Sequence, residues 1–277
     1  MWRSDPAHGI RDPPLSSTGH EQAQKTGAHI VDLMNERNIA VDKATIVIYT
    51  SPFQRCIDTA IGLVRGMAAQ TQVSVQPPVI RLQLGLGEWM CERFFDEVCP
   101  ASHLLSRQQE ALARQQALTY AARANNNETI LDTHGKNLVL PPLIIDYGYR
   151  AETTEFDFPE RYTDMLQRFN QVREECVSQA GVGLPKDCKS NGPVVTILVT
   201  HAVGVNALLD SFRNRITRPV ETSYCSVSCV QWKKSQATLD ISDQSEEEEV
   251  EPVEFLGGGV KPRWCIDLEV SDIHLKT

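Results

Sequence analysis

The chain has 277 residues, 41% apolar and 23% charged, with 27 Lys and Arg against 36 Asp and Glu for a net charge of -9. That balance supports a sizeable core, excludes a disordered or fibrous chain, and leaves no bulk attraction for nucleic acid. No apolar run reaches the ~18 residues a membrane span needs, and the Met1 to Pro6 start carries no basic-then-apolar leader. A soluble intracellular protein, cytoplasmic or nuclear, is therefore the expectation.

The first dozen residues, with Pro6, Gly9, Pro13 and Pro14, read as a loop. Thr18 followed by Glu21 has capping-box spacing, and Ala23, Gly27, Ile30, Val31 and Met34 then recur on one helical face. Residues 45–50 are a β-branched apolar run, expected as a buried strand. Ser51, with Gln54 three positions on, is expected to cap a helix whose first residue is Pro52 and whose inner face holds Phe53, Cys56, Ile57, Ala60 and Val64.

Leu82, Leu84 and Leu86 alternate, which predicts an extended segment ahead of Gly85-Leu-Gly-Glu-Trp89. Residues 102–124 read as a helix, and 97–150 as an insertion carrying that helix and a loop. A helix from Pro159 places Tyr162, Met165, Leu166, Phe169, Val172 and Cys176 on one face. Residues 193–199 form the clearest buried-strand signal, ending at Thr200-His201 and running into a helix that starts with Val203, Ala207 and Leu208. Late strands are expected at 224–232 and 263–270. Between them Ser242–Glu254 holds six glutamates, a self-repelling run most simply read as a solvated loop.

Strands alternating with helices argue for an α/β sandwich with a mostly parallel central sheet. Eight cysteines include no C-x-x-C pair; Cys225 and Cys229 would share one strand face, but no second ligand pair is in view for zinc. No dinucleotide fingerprint or phosphate-loop lysine motif occurs, and Gly257–Gly259 reads as a turn.

Ligands of open α/β sheets collect at the carboxyl ends of strands. Arg55 lies in the first turn of the helix after strand 45–50, where a guanidinium and a helix N-terminus make either an anion pocket or an ordinary salt bridge. His201 ends the strongest strand and can contact a phosphoryl oxygen, carry a proton, or simply be a satisfied core histidine. Glu88 precedes Trp89, and packing against an indole would suit a proton donor, although glutamates beside tryptophan are commonly surface residues. His8, His20, His29, His103, His134 and His274 read as loop or exposed-helix positions.

Four blocks occur in order: Asp12-Pro-Pro-Leu-Ser-Ser-Thr-Gly-His-Glu-Gln-Ala23, Ser51-Pro-Phe-Gln-Arg-Cys-Ile-Asp-Thr-Ala60, Gly85-Leu-Gly-Glu-Trp89 and Thr200-His-Ala202. Together they resemble the histidine phosphatase (phosphoglycerate-mutase-like) superfamily, most closely its fungal branch, which includes the phosphatase-like subunit of the RNA polymerase III initiation factor tau. The resemblance implies one three-layer α/β/α domain over 1–277, with the insertion at about 97–150 and the acidic loop at about 242–254. It also implies phosphoryl transfer through phosphohistidine with neither metal nor cofactor. Arg55 and His201 would hold the phosphoryl oxygens, and Glu88 would protonate the leaving oxygen.

The family's nucleophile sits in an Arg-His-Gly motif ending the first strand, and this sequence contains no such triplet. Ala7-His8-Gly9 is a poor substitute: no apolar strand precedes it, and Asp12 follows only four residues later. The resemblance therefore implies, as an expectation, a fold lacking its first strand, through a truncated gene product or a real deletion, and an inactive phosphatase-like chain. The substrate implied is a small phosphorylated metabolite or a phosphoprotein. The alternative is a non-catalytic subunit with a protein-complex partner; neither reading involves direct nucleic-acid or membrane contact.

Overall fold

A computed structural model describes residues 12–71, 76–97, 100–124, 129–131, 137–139, 143–185, 188–232 and 264–276. Its elements run α1 (Ser17–Glu36), β1 (Thr45–Thr50), α2 (Gln54–Gln70), β2 (Val79–Leu82), α3 (Ala101–Ala124), β3 (Thr129–Leu131), β4 (Asn137–Val139) and β5 (Ile144–Ile145). They continue with α4 (Tyr162–Gln179), β6 (Val194–Val199), α5 (Ala202–Arg213), β7 (Val227–Trp232) and β8 (Trp264–Ser271).

All six residues of β1 are buried, because it lies inside a four-stranded sheet of order β5-β2-β1-β6 in which every pairing is parallel. Strand side chains alternate between faces. Ile46 and Ile48 pack with Val31 and Met34 of α1 and Ile57, Ala60 and Val64 of α2. Val47 and Tyr49 pack with Met165, Leu166 and Phe169 of α4 and Ala207 and Leu208 of α5. The chain is thus an α/β fold with a parallel sheet between two helical layers, as the alternating pattern implies. β3 pairs with β4, and β7 with β8, as separate antiparallel two-stranded sheets. No described helix is long and apolar enough to cross a membrane.

Close approach of α1 and α2 depends on glycine. A Cβ at Gly27 would lie 2.2 Å from the Leu63 carbonyl oxygen, and one at Gly66 only 1.9 Å from that of Gln24. Gly27→Ala must push the helices apart and is expected to destabilise the protein by about 1–3 kcal/mol, as overpacking does. Urea melts check this; an unchanged midpoint would show that the layer has slack.

Several local expectations need correction. Ser16 caps α1, its Oγ accepting from the Gly19 N–H at 3.1 Å, so Thr18 lies inside the helix. α2 begins at Gln54 with Phe53 as its cap residue, and the Gln54 N–H donates to Asp12 Oδ1 at 2.6 Å; a carboxylate distant in sequence takes the capping role expected of Ser51. β2 ends at Leu82, and Leu84–Leu86 form a 3-10 turn instead of extended chain. α4 starts at Tyr162, after a cis Phe158–Pro159 peptide.

Burial of β6 is weaker than expected. It pairs only with β1 among the described residues, and Val195–Leu198 are half-buried because hydropathy reports composition while position in the sheet decides exposure. β7 starts at Val227, and Cys225 precedes it with φ +55°, so the strand periodicity that put Cys225 and Cys229 on one face does not apply. Within 97–150, α3 adds Ala101 and Leu104 to a cluster with Phe53, Leu84 and Met90, and β5 pairs with β2. His8, His134, the 242–254 run and Gly257–Gly259 lie outside the described residues.

Candidate active site

The carboxyl ends of β1 and β6 lie side by side, Thr50 being in register with Val199. One residue beyond Thr50, Ser51 turns the chain toward α2, and Arg55 occupies the first turn of that helix. His201 follows β6 after Thr200 and is the cap residue of α5, with its own side chain making no capping bond. Beyond β2 and the 3-10 turn, Gly87-Glu88 runs past the same place. Thr200 Oγ1 secures that loop by donating to the Leu86 carbonyl at 2.8 Å.

Arg55, Glu88 and His201 meet. Arg55 Nη2 lies 2.8 Å from His201 Nδ1 and 3.2 Å from Glu88 Oε2, and the Glu88 oxygen is 3.2 Å from His201 Nδ1. The arginine and glutamate side chains retain 27% and 19% exposure against 3% for the histidine, so the first two open to solvent over a buried ring. Phe53 meets the ring edge-on at 5.1 Å and stacks under the Arg55 guanidinium at 4.8 Å.

Burial, then the positive charges of Arg55 and Arg168, hold the His201 pKa well below the ordinary imidazole value, so the ring is neutral at pH 7. A neutral ring whose Nδ1 accepts from Arg55 carries its proton on Nε2, which donates to Ser51 Oγ 3.0 Å away. Ser51 thus orients the histidine. Cys56 Sγ is 3.7 Å from Nε2, but burial pushes its thiol up to about 12, which removes it as a thiolate nucleophile near pH 7.

Glu88 reaches this place for a different reason from the one its neighbour suggests. The Trp89 indole N–H donates to the Glu160 carbonyl at 2.9 Å, and its ring packs on Phe94 and Tyr162. The Glu88 carboxylate meets a guanidinium and an imidazole.

Two further residues shape the loop. Arg168 of α4 is buried and paired with Glu160, Nε–Oε1 at 2.7 Å and Nη2–Oε2 at 2.9 Å. It donates as well to the carbonyls of Gly85, Gly87 and Glu88. Its signal was present in sequence as a charge between Met165, Phe169 and Val172 on an apolar helical stripe. Asp12, which accepts from the Gln54 N–H, also accepts from Arg107 and Gln108 of α3.

Such a constellation can hold a tetrahedral anion: a charged guanidinium fork and a neutral imidazole, with a carboxyl group beside them. Residues 2–89, which supply Arg55 and Glu88, match the model of the histidine phosphatase superfamily, branch 1. His201 lies beyond the match, and it is the tertiary fold that carries it to the matched segment.

Among solved structures, the chain is similar to an ecdysone phosphate phosphatase from Bombyx mori, at 17% identity over 90% of this chain and 83% of that one, TM-score 0.48. It is similar also to a mycobacterial glucosyl-3-phosphoglycerate phosphatase, at 16% identity over 94% and 89%, TM-score 0.39. Comparison with curated proteins finds no match.

A separate cavity of about 140 Å³ lies between α3 and the turn after β5, walled by Leu84, Leu105, Gln109, Tyr149 and Thr153, and contains none of the three site residues. Among the described residues no group of three or more His, Cys, Asp or Glu could hold a metal ion. His29 and His274, expected at exposed positions, are half-buried and stack at 4.5 Å, because the chain's last turn folds back on α1. That pairing has no sequence signal.

Proposed function

We propose that Arg55 and His201 bind the phosphoryl group of a phosphate ester and that Glu88 stands at its leaving oxygen, the arrangement of a histidine-phosphatase-type phosphoester hydrolase. The observation that carries this is the mutual approach of the three groups within 3.2 Å at the ends of β1 and β6. The substrate class is a small phosphorylated metabolite or a phosphoprotein. The family motif for the nucleophile, Arg-His-Gly, occurs nowhere in the 277 residues, and the role proposed for these residues is binding of the phosphate ester.

Calorimetric titration with inorganic phosphate tests the pocket. Arg55→Ala is expected to weaken binding by about 1–3 kcal/mol, the scale of a charge-assisted hydrogen bond. Absence of binding, or binding indifferent to the substitution, would overturn the assignment. An aryl phosphate is expected to bind without releasing phenol; release of phenol, lost in His201→Gln, would overturn the non-hydrolysing reading and keep the pocket.

A second reading is a non-catalytic assembly subunit, for example of an RNA polymerase III initiation complex, as the fungal resemblance implies. It is favoured by the missing triplet together with the six glutamates of Ser242–Glu254, which suit a basic partner. Capture of a basic partner by the full chain, lost on deleting 242–254, would support it; identical behaviour of both proteins would count against it.

A further inference from the structure

We propose that Arg168 and Glu160 are positioning residues, a buried pair that holds the 85–90 loop so that the Glu88 carboxylate stands on Arg55 and His201. This rests on the anion-pocket reading above and adds the device that sets its occupancy.

Four successive loop carbonyls accept from side chains. Those of Gly85, Gly87 and Glu88 accept from the single guanidinium of Arg168, and that of Leu86 accepts from Thr200. Glu160 completes the other side. Its Oε2 accepts from the Met90 N–H at 3.1 Å, its own N–H donates to the Met90 carbonyl at 2.8 Å, and its carbonyl accepts from the Trp89 indole. Arg168 and Glu160 together therefore bind backbone on both sides of Glu88. Both are buried, and their mutual ion pair aims the guanidinium edge at the loop.

Arginine suits this task because its planar fork can serve a carboxylate and several carbonyls at once; a lysine retains the charge and loses the geometry. The groups facing Glu88 are Arg55 from α2 and His201 from the end of β6, with Arg168 behind the loop; the charges of Glu88 and Asp12 both act on the Cys56 thiol. Held there, the carboxylate occupies the place where an anion would contact Arg55. Loosening its backbone should free that place.

A double-mutant cycle on the full chain tests this with inorganic sulfate, read by calorimetry at pH 7. Glu88→Gln removes the competing charge and is expected to tighten sulfate binding about tenfold, equivalent to about 1.4 kcal/mol. In an Arg168→Lys background, where the loop is no longer pinned, the same change should give less than about a twofold gain, the deficit being the coupling between the two residues. A merely structural role would lower stability and leave the Glu88→Gln effect intact. If Arg168→Lys does not fold, Arg168→Met combined with Glu160→Met replaces the pair without leaving a buried charge, and the same attenuation is expected. Equal Glu88→Gln gains in both backgrounds, or no gain in the unmodified chain, overturn the proposal. Sulfate that fails to bind at all, or binds regardless of Arg55→Ala, overturns the pocket itself, so the two failures are told apart.

Discussion

Arg168→Ala is expected to lower the unfolding free energy by about 3–5 kcal/mol, the cost of breaking a buried ion pair from one side. The Arg168 side chain is 10% exposed and that of Glu160 4%, so neither water nor another cation can replace the guanidinium cheaply. Truncation leaves Glu160 charged in the interior and the carbonyls of Gly85, Gly87 and Glu88 without their donor. Phe169, packed against the guanidinium at 4.8 Å, loses that contact too. Urea unfolding at pH 7 measures the effect. A loss below about 1 kcal/mol, typical of an exposed pair, would mean that water reaches the loop in the native protein. Replacing both partners by methionine should cost far less, since the penalty comes from the stranded charge.

Stability is also expected to fall below about pH 6.5 because of His201. Its folded-state pKa is depressed, chiefly by burial and then by Arg55 and Arg168. The unfolded chain therefore takes up a proton near the ordinary imidazole value, while the folded chain does not. Stability is complete above that value and is lost as pH falls, by up to about 1.4 kcal/mol per pH unit, until the folded imidazole itself titrates. Urea melts between pH 7.5 and 4.5, compared with His201→Gln, isolate this contribution: carboxylates common to both proteins cancel. His201→Gln should show the shallower profile. Superimposable profiles would mean that the native imidazole protonates as readily as a free one, and the neutral ring with its Ser51 bond would have to be abandoned.

Patterning exposes much of this fold because one strand and one helix each bury a repeating set of side chains. Thr45–Thr50 and the Met165, Leu166, Phe169 stripe are visible for that reason. Boundaries were less visible. Asp12 caps α2 from forty-two residues away, so no local rule could choose it over Ser51. Ser51 escapes a local rule for the same reason: besides a long contact from the Phe53 N–H, its hydroxyl accepts from His201, 150 residues further along. The strength of β6 as a hydrophobic run likewise said nothing of its place beside β1 alone among the described strands.

By itself the sequence determined the α/β class, the mostly parallel sheet and the helical faces, and it nominated Arg55, Glu88 and His201, since periodicity and motif are properties of neighbours along the chain. Only the tertiary structure decided that Glu88 faces Arg55 and His201 instead of an indole, that the imidazole is neutral, and that a buried arginine from α4 holds the loop. Those outcomes depend on distances between segments and on exclusion of water, and neither quantity exists until the sheet has brought its strand ends together.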